Sequence, residues 1–180
     1  RLDNLVKMGE RLDSCQKSLS DYLDTKRAAF PRFFFISDDE LLSVLGSSDP
    51  TAIQIHLLKL FDNVKELTFG RNNKIVECMT SSEKESFTMV TPAAVDGPVE
   101  VWMTAVEEEM HVSLRDITKE GVFIYAQNDR CPWLKIVLGM TGLVGSQIWW
   151  TWEVEDTFRQ VATGDKYAMK TLESKLTGQL

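Results

Sequence analysis

Leu5, Met8, Leu12, Cys15, Leu19, Tyr22 and Leu23 recur at steps of three and four along the first thirty residues, which is the spacing of one face of an α-helix. Asp, Glu, Lys, Arg and Ser fill the positions between them and suit a solvated face. The chain is therefore committed to a long amphipathic helix. Its apolar stripe needs a covering surface, either in these residues or in further polypeptide. Pro31 ends the helix, because a residue before proline avoids the α region.

Phe33-Phe34-Phe35-Ile36 follows. It is too short for a buried helix, and the spacing predicts a buried strand. Alternation then sends Phe33 and Phe35 to one side and Phe34 to the other. Ser37 and Glu40 form a capping box for a helix with Leu41, Leu42 and Leu45 on its apolar side and Gly46 at its end. Asp49-Pro50 starts another, with Ile53, Leu57, Leu60 and Phe61 on one face. From Val64 the pattern turns β-like. Leu67 and Phe69 alternate with polar residues before a Gly70–Asn73 turn. The runs 74–80 and 86–91 then predict a hairpin whose charged tip is Ser81–Glu85.

A helix is expected from about Val99, with Trp102, Val106, Met110, Leu114 and Ile117 on its stripe and Gly121 interrupting or ending it. Asn128-Asp129-Arg130 marks a loop, and Pro132 opens the next helix. Val144, Ile148, Trp152 and Phe158 continue the helical spacing, and Asp165 caps a last helix. No 20–50-residue repeat is present. The expected fold is mainly α with a small β insertion: helices and a short strand over 1–63, a β-hairpin insertion over 64–97 and helices over 98–180. The whole reads as one fragment of an elongated array of helical bundles.

With 180 residues, 43% of them hydrophobic and 26% charged, the chain has enough apolar content for a core, which argues against global disorder. Three cysteines, Cys15, Cys78 and Cys131, are too few and too scattered for a disulfide scaffold and read as reduced thiols. The net charge of −7 argues against a nucleic-acid partner. No apolar run reaches a membrane-span length. The chain opens on Arg1 with no signal-peptide pattern. It is helical in pattern at both ends, and so reads as a piece of something longer.

No catalytic, cofactor-binding or metal site is expected. Gly139–Ser146 (GMTGLVGS) lacks the Gly-Lys-Ser/Thr ending of a phosphate loop, and its glycines suit close helix packing. His56 and His111 have no partner at metal-ligand spacing. Glu107, Glu108 and Glu109 point in different directions around a helix and read as a solvated face. Cys131 is the only opening for an enzyme reading, through an unrecognised site with the glycine-rich segment. Trp149, Trp150 and Trp152 point at least two ways around a helix. One face suits core packing and another suits docking, since tryptophan is enriched at interface hot spots.

From Phe30 to Leu42 (FPRFFFISDDELL) the sequence resembles the linker region of dynein heavy chains, with Pro31, Phe33, Phe34 and Phe35 as its signature. Cys15–Ala29 resembles the helix leading into that block. Val99–Met103 resembles the family's Val-Glu-x-Trp helix start, with Trp102 as its tryptophan. Gln147–Asp156 resembles its Gln-Ile/Val-x-Trp-Thr-x-Glu-x-Glu segment. The blocks occur in family order and look most like axonemal chains of inner-arm type, with a departure at GMTGLVGS.

The resemblance implies part of a mostly helical lever that lies across a ring of AAA+ modules in an ATP-driven, minus-end-directed microtubule motor. ATP and Mg would belong to that ring, outside this segment. The implied partners are the ring itself, intermediate and light chains, and microtubules. The implied location is the cytoskeleton, in a ciliary or flagellar axoneme. Under this reading the hairpin acids Glu83 and Glu85 and the tryptophans Trp149, Trp150 and Trp152 are ring-contact candidates. Bending is expected at Pro31, 46–50 or 121–132. A non-catalytic helical scaffold is the alternative.

Overall fold

The structure is a computed structural model that describes residues 2–179. It divides into two compact units, residues 1–111 and 112–180. The order is α1 (Leu2–Ala29), a 3-10 helix (Pro31–Phe35), α2 (Asp38–Gly46), a second 3-10 helix (Pro50–His56), α3 (Leu57–Leu60), β1 (Val64–Gly70), β2 (Ile75–Ser81), β3 (Ser86–Ala94), α4 (Val99–Tyr125), α5 (Arg130–Leu134), α6 (Gly139–Ala162) and α7 (Ala168–Thr177). The architecture is mainly α with one small antiparallel sheet.

In the first unit, Pro31 ends α1 as expected, but the aromatic run is not a strand. Residues Pro31–Phe35 form a 3-10 helix with proline in its first turn. Side chains three apart eclipse in that helix. Phe30, Phe33 and Ile36 are therefore buried together, with the Phe30 and Phe33 rings packed edge to face at 4.9 Å. Phe34 and Phe35 are each 66% exposed, so Phe33 and Phe35 do not share a side. A period of three replaces a period of two because Pro31 fixes φ near the helical value and the Phe33 and Ile36 N–H groups bond back three residues.

The capping box of α2 is present: the Glu40 N–H donates to Ser37 Oγ, and the Ser37 N–H donates to the Glu40 carboxylate at 3.0 Å. Asp49 caps the second 3-10 helix by accepting from the Thr51 N–H at 3.0 Å. Ile53, Leu57, Leu60 and Phe61 are all buried. The expected hairpin is β2 and β3, paired antiparallel, and β1 joins it to make a three-stranded sheet in the order β1-β2-β3. Leu67 pairs with Met79, and Met79 pairs with Phe87. Leu67, Val76, Met79 and Met89 are buried. Three successive left-handed residues, Arg71, Asn72 and Asn73, turn β1 into β2. Gln54 ties the second 3-10 helix to β1, its amide nitrogen donating to the Leu67 carbonyl at 2.7 Å and its oxygen accepting from the Leu67 N–H at 3.0 Å.

The second unit is organised on Trp133, which is fully buried. Its indole N–H donates to the Gly121 carbonyl at 2.8 Å, and its ring meets Tyr125 edge to face at 4.9 Å. Gly121 neither ends nor breaks α4. It lies where a β-carbon would collide with the Thr141 methyl. Pro132 does not open α5, which begins at Arg130 behind Asp129. The glycine-rich segment is the start of α6. A β-carbon on Gly145 would sit 2.8 Å from the Trp133 ring, and one on Gly142 would sit 3.1 Å from Leu134. Here the glycines admit side chains close to the helix axis, the packing role expected of them. In α6 and α7, Lys175 pairs with the largely buried Glu153 at 2.6 Å.

Candidate functional site

Two acids flank the β2–β3 turn. The Glu83 carboxylate accepts from the Asn63 amide at 2.6 Å and from the Ser82 hydroxyl. The Asn63 bond, followed by the Glu83 backbone N–H, holds its carboxyl below the ordinary range. Glu83 is thus a fixed anion anchored across the sheet to the entry of β1, and Glu85 is exposed on the same turn. Lys84 between them takes a left-handed φ of 69°.

The tryptophans divide by role. The Trp149 indole N–H donates to the Val122 carbonyl at 2.9 Å, and its ring stacks on Tyr125 at 5.2 Å. Trp149 is therefore joined to the Trp133 core. Trp152 packs edge to face on Trp149 at 5.6 Å yet stays 52% exposed. Trp150 is 55% exposed. One residue of the three is held by the fold, and two present ring surface outward.

The signature residues of the first unit are mostly structural. Trp102 is buried, with Phe69 edge to face at 6.3 Å. Phe33 is core, while Phe34 is exposed beside the Arg27 guanidinium at 5.8 Å. Glu107–Glu109 is not merely a solvated face. Glu107 pairs with Arg32 at 2.8 Å, and Glu109 accepts from the Thr91 N–H at 2.8 Å. Only Glu108 is fully turned to solvent. The three carboxylates do not converge.

The sequence reading missed a cleft of about 670 Å3 in the first unit, bounded by the C-terminal part of α1, the α2 exit, the β1–β2 turn and the start of α4. Lys26 and Glu100, both lining it, pair at 2.5 Å. The Glu100 bond raises the Lys26 pKa. Glu100 is buried, and its Oε2 has no hydrogen-bond partner. The only sequence signal was Lys26 itself, a charge four residues beyond Tyr22 on the apolar stripe.

Among the described residues no group of three or more His, Cys, Asp or Glu is placed to hold a metal, and no helix is long and apolar enough to cross a membrane. His56 is buried with its Nδ1 3.6 Å from Glu40, a packed histidine. Cys15 and Cys131 are exposed free thiols and Cys78 is a half-buried one. Residues 139–146 lie in the first turns of α6, where Gly142 and Gly145 face Leu134 and Trp133.

Residues 1–121 match the family model described as dynein heavy chain, N-terminal region 2. Over its whole length the chain is 61% identical to the Dynein-1-alpha heavy chain of the flagellar inner arm I1 complex of Chlamydomonas reinhardtii. It is 49% identical to Dynein axonemal heavy chain 10 of Homo sapiens, again over its whole length. Over 94% of its length it is 35% identical to the Dynein beta chain of the flagellar outer arm of Chlamydomonas reinhardtii. The chain spans 4% of the length of each of these relatives.

Proposed function

The chain belongs to the dynein heavy chains, in their N-terminal region 2, and from that premise we propose that it is a stretch of the linker of an axonemal heavy chain, a mechanical lever in an ATP-driven microtubule motor of the ciliary or flagellar cytoskeleton. In this reading ATP and Mg are bound by AAA+ modules outside these residues, and no residue here takes part in hydrolysis. The chain's work is to bend and straighten with the ring's cycle and to pass that motion on.

One observation supports the lever most directly. Three acidic residues of α4 fasten it to three different elements of the first unit: Glu100 to α1 through Lys26, Glu107 to the first 3-10 helix through Arg32, and Glu109 to β3 through the Thr91 N–H. A helix tied at its first turn and again about two turns further on moves with its neighbours as a stiff body, which force transmission needs. Helices α1 and α4, of 28 and 27 residues, are the long struts, each about 40 Å at 1.5 Å rise per residue.

The exposed pair Trp150 and Trp152, supported by Trp149, and the hairpin acids Glu83 and Glu85 are the proposed contacts with the ring of the same heavy chain. Intermediate and light chains and microtubules are partners of the assembled motor. The test is microtubule gliding by the intact heavy chain carrying Glu83→Lys with Glu85→Lys, or Trp150→Ala. Slowed gliding with ATP turnover retained supports the contacts. Unchanged gliding removes these residues from the lever's working surface.

A further inference from the structure

The connection from β3 to α4 is fastened at both ends. The Val95 N–H donates to the Lys74 carbonyl at 2.8 Å, and the Val101 N–H donates to the Pro98 carbonyl at 3.0 Å. Between these ties lie Asp96 and Gly97, both exposed. Asp96 is the one aspartate of the chain that precedes a glycine, and no asparagine does. Gly97 has a φ of 75° and nothing within 4 Å of where a β-carbon would stand. Among the described residues neither the Gly97 N–H nor the Asp96 carboxylate has a partner.

A loop aspartate is commonly held by a local bond, its carboxylate accepting from the N–H two residues on. Asp49 is held in this way by the Thr51 N–H at 3.0 Å, and Asp165 by the Tyr167 N–H at 2.9 Å. For Asp96 the residue two positions on is Pro98, which has no N–H. The carboxyl therefore lacks the local donor that would hold it away from the next amide. That amide belongs to a residue with no side chain to shield it. Asp13, which precedes the small Ser14, differs, because both lie inside α1 and a helical N–H is committed to the helix.

We propose that Asp96–Gly97 is a site of spontaneous aspartate isomerisation, and of repair by an isoaspartyl carboxyl methyltransferase that uses S-adenosylmethionine. With the Asp96 carboxyl protonated, the Gly97 nitrogen attacks Cγ. The new C–N bond closes a succinimide ring, and the hydroxyl leaves as water with the amide proton. Water then adds to one of the two ring carbonyls. Addition at the main-chain carbonyl carbon breaks the original peptide bond. The chain then runs through the Asp96 side chain, and the main-chain carboxylate is set free. No oxidant or reductant takes part. The methyltransferase moves a methyl group from the S-adenosylmethionine sulfur to that carboxylate, and S-adenosylhomocysteine leaves. The ester expels methanol as the succinimide re-forms. The isomer places one additional methylene in the connection that leads to Glu100, the first acid fastening α4.

The test ages the purified intact heavy chain near neutral pH for weeks, with circular dichroism followed so that the sampled protein is folded. A synthetic peptide covering residues 91–102 is aged beside it. Electron-transfer fragmentation scores isoaspartate in the digested chain, and methyl transfer from labelled S-adenosylmethionine by the methyltransferase is mapped to the same peptides. The expected result is isoaspartate at Asp96 ahead of Asp13, formed at a rate within an order of magnitude of the free peptide's. The labelled methyl should sit on that residue and be missing there from an Asp96→Glu chain. A slower rate than that, isoaspartate reaching Asp13 first, or isoaspartate at Asp96 that accepts no methyl overturns the proposal.

Discussion

Arg32 and Glu107, 75 residues apart, are joined by a hydrogen bond of 2.8 Å from the guanidinium Nε to the carboxylate. The same guanidinium donates through Nη1 to the Leu60 carbonyl at 2.9 Å and covers the Phe61 ring at 4.6 Å. One side chain of the first 3-10 helix thus gathers α3 and α4. Its planar fork serves two acceptors and one aromatic face together, which an ammonium cannot do.

Arg32→Ala should accordingly destabilise the first unit by about 2 kcal/mol, the scale of lost charge-assisted hydrogen bonds at a partly exposed site. Arg32→Lys should recover less than half of that. Urea unfolding followed by circular dichroism measures both. A loss within error for Arg32→Ala would show that the contacts are ornamental.

The glycines of α6 make a second prediction. At Gly145 an added methyl meets the Trp133 ring at 2.8 Å, so Gly145→Ala should cost about 1–3 kcal/mol through overpacking. Gly46 closes α2 and has nothing within 4 Å of an added β-carbon. Gly46→Ala should stay within about 0.5 kcal/mol of the parent. Thermal unfolding of the two variants distinguishes a packing role at Gly145 from a general preference for alanine in helices.

These two positions also show what was legible from residues alone. The packing role of the glycine-rich segment could be read from its lack of a phosphate-loop ending. The identity of its partner, Trp133, could not, because that contact depends on how α5 folds back. Ser37 and Glu40 were readable because a capping box is local. Phe33–Phe35 was misread because four apolar residues fit a strand and a 3-10 turn equally, and burial of Phe30 with Phe33 selects the period of three. The two engaged acids of Glu107–Glu109 were hidden because their partners, Arg32 and the Thr91 N–H, are long-range. Trp149, Trp150 and Trp152 were recognised as pointing more than one way. The Val122 carbonyl and the Tyr125 ring decide that Trp149 is the anchored one.

Acid titration provides a third prediction. The Lys59 ammonium at 2.6 Å, followed by the Ser37 N–H, lowers the Glu40 carboxyl from 4.5 to about 2. A carboxyl depressed in the folded state contributes stability that is fully present above its unfolded value and is lost as pH falls through its folded value. The contribution of Glu40 should therefore fade between pH 4.5 and about 2. Glu40→Gln should flatten that part of the stability profile, with His56 and Lys59, the other titratable groups beside it, left unchanged. An unaltered profile would show that the contacts of Glu40 with Lys59 and Ser37 bear no pH-dependent load.

A fourth prediction separates fold from surface among the tryptophans. Trp133→Ala should cost about 3–5 kcal/mol, as for a fully buried aromatic. Trp150→Ala should cost under about 0.5 kcal/mol, as for an exposed side chain away from special features. Chemical unfolding measures both, and a comparable loss at the two positions would contradict the assignment of Trp150 to an outward-facing surface.

The lever reading is tested most directly by distance. A donor dye attached through a genetically encoded azide at the exposed position 131 (Cys131→p-azidophenylalanine) and an acceptor in the remainder of the intact heavy chain report the separation by energy transfer. The lever account predicts that transfer efficiency switches between nucleotide-free and ATP-bound states and returns after hydrolysis. Efficiency that stays constant through the cycle, for acceptors placed at several points, would contradict it and leave a static scaffold.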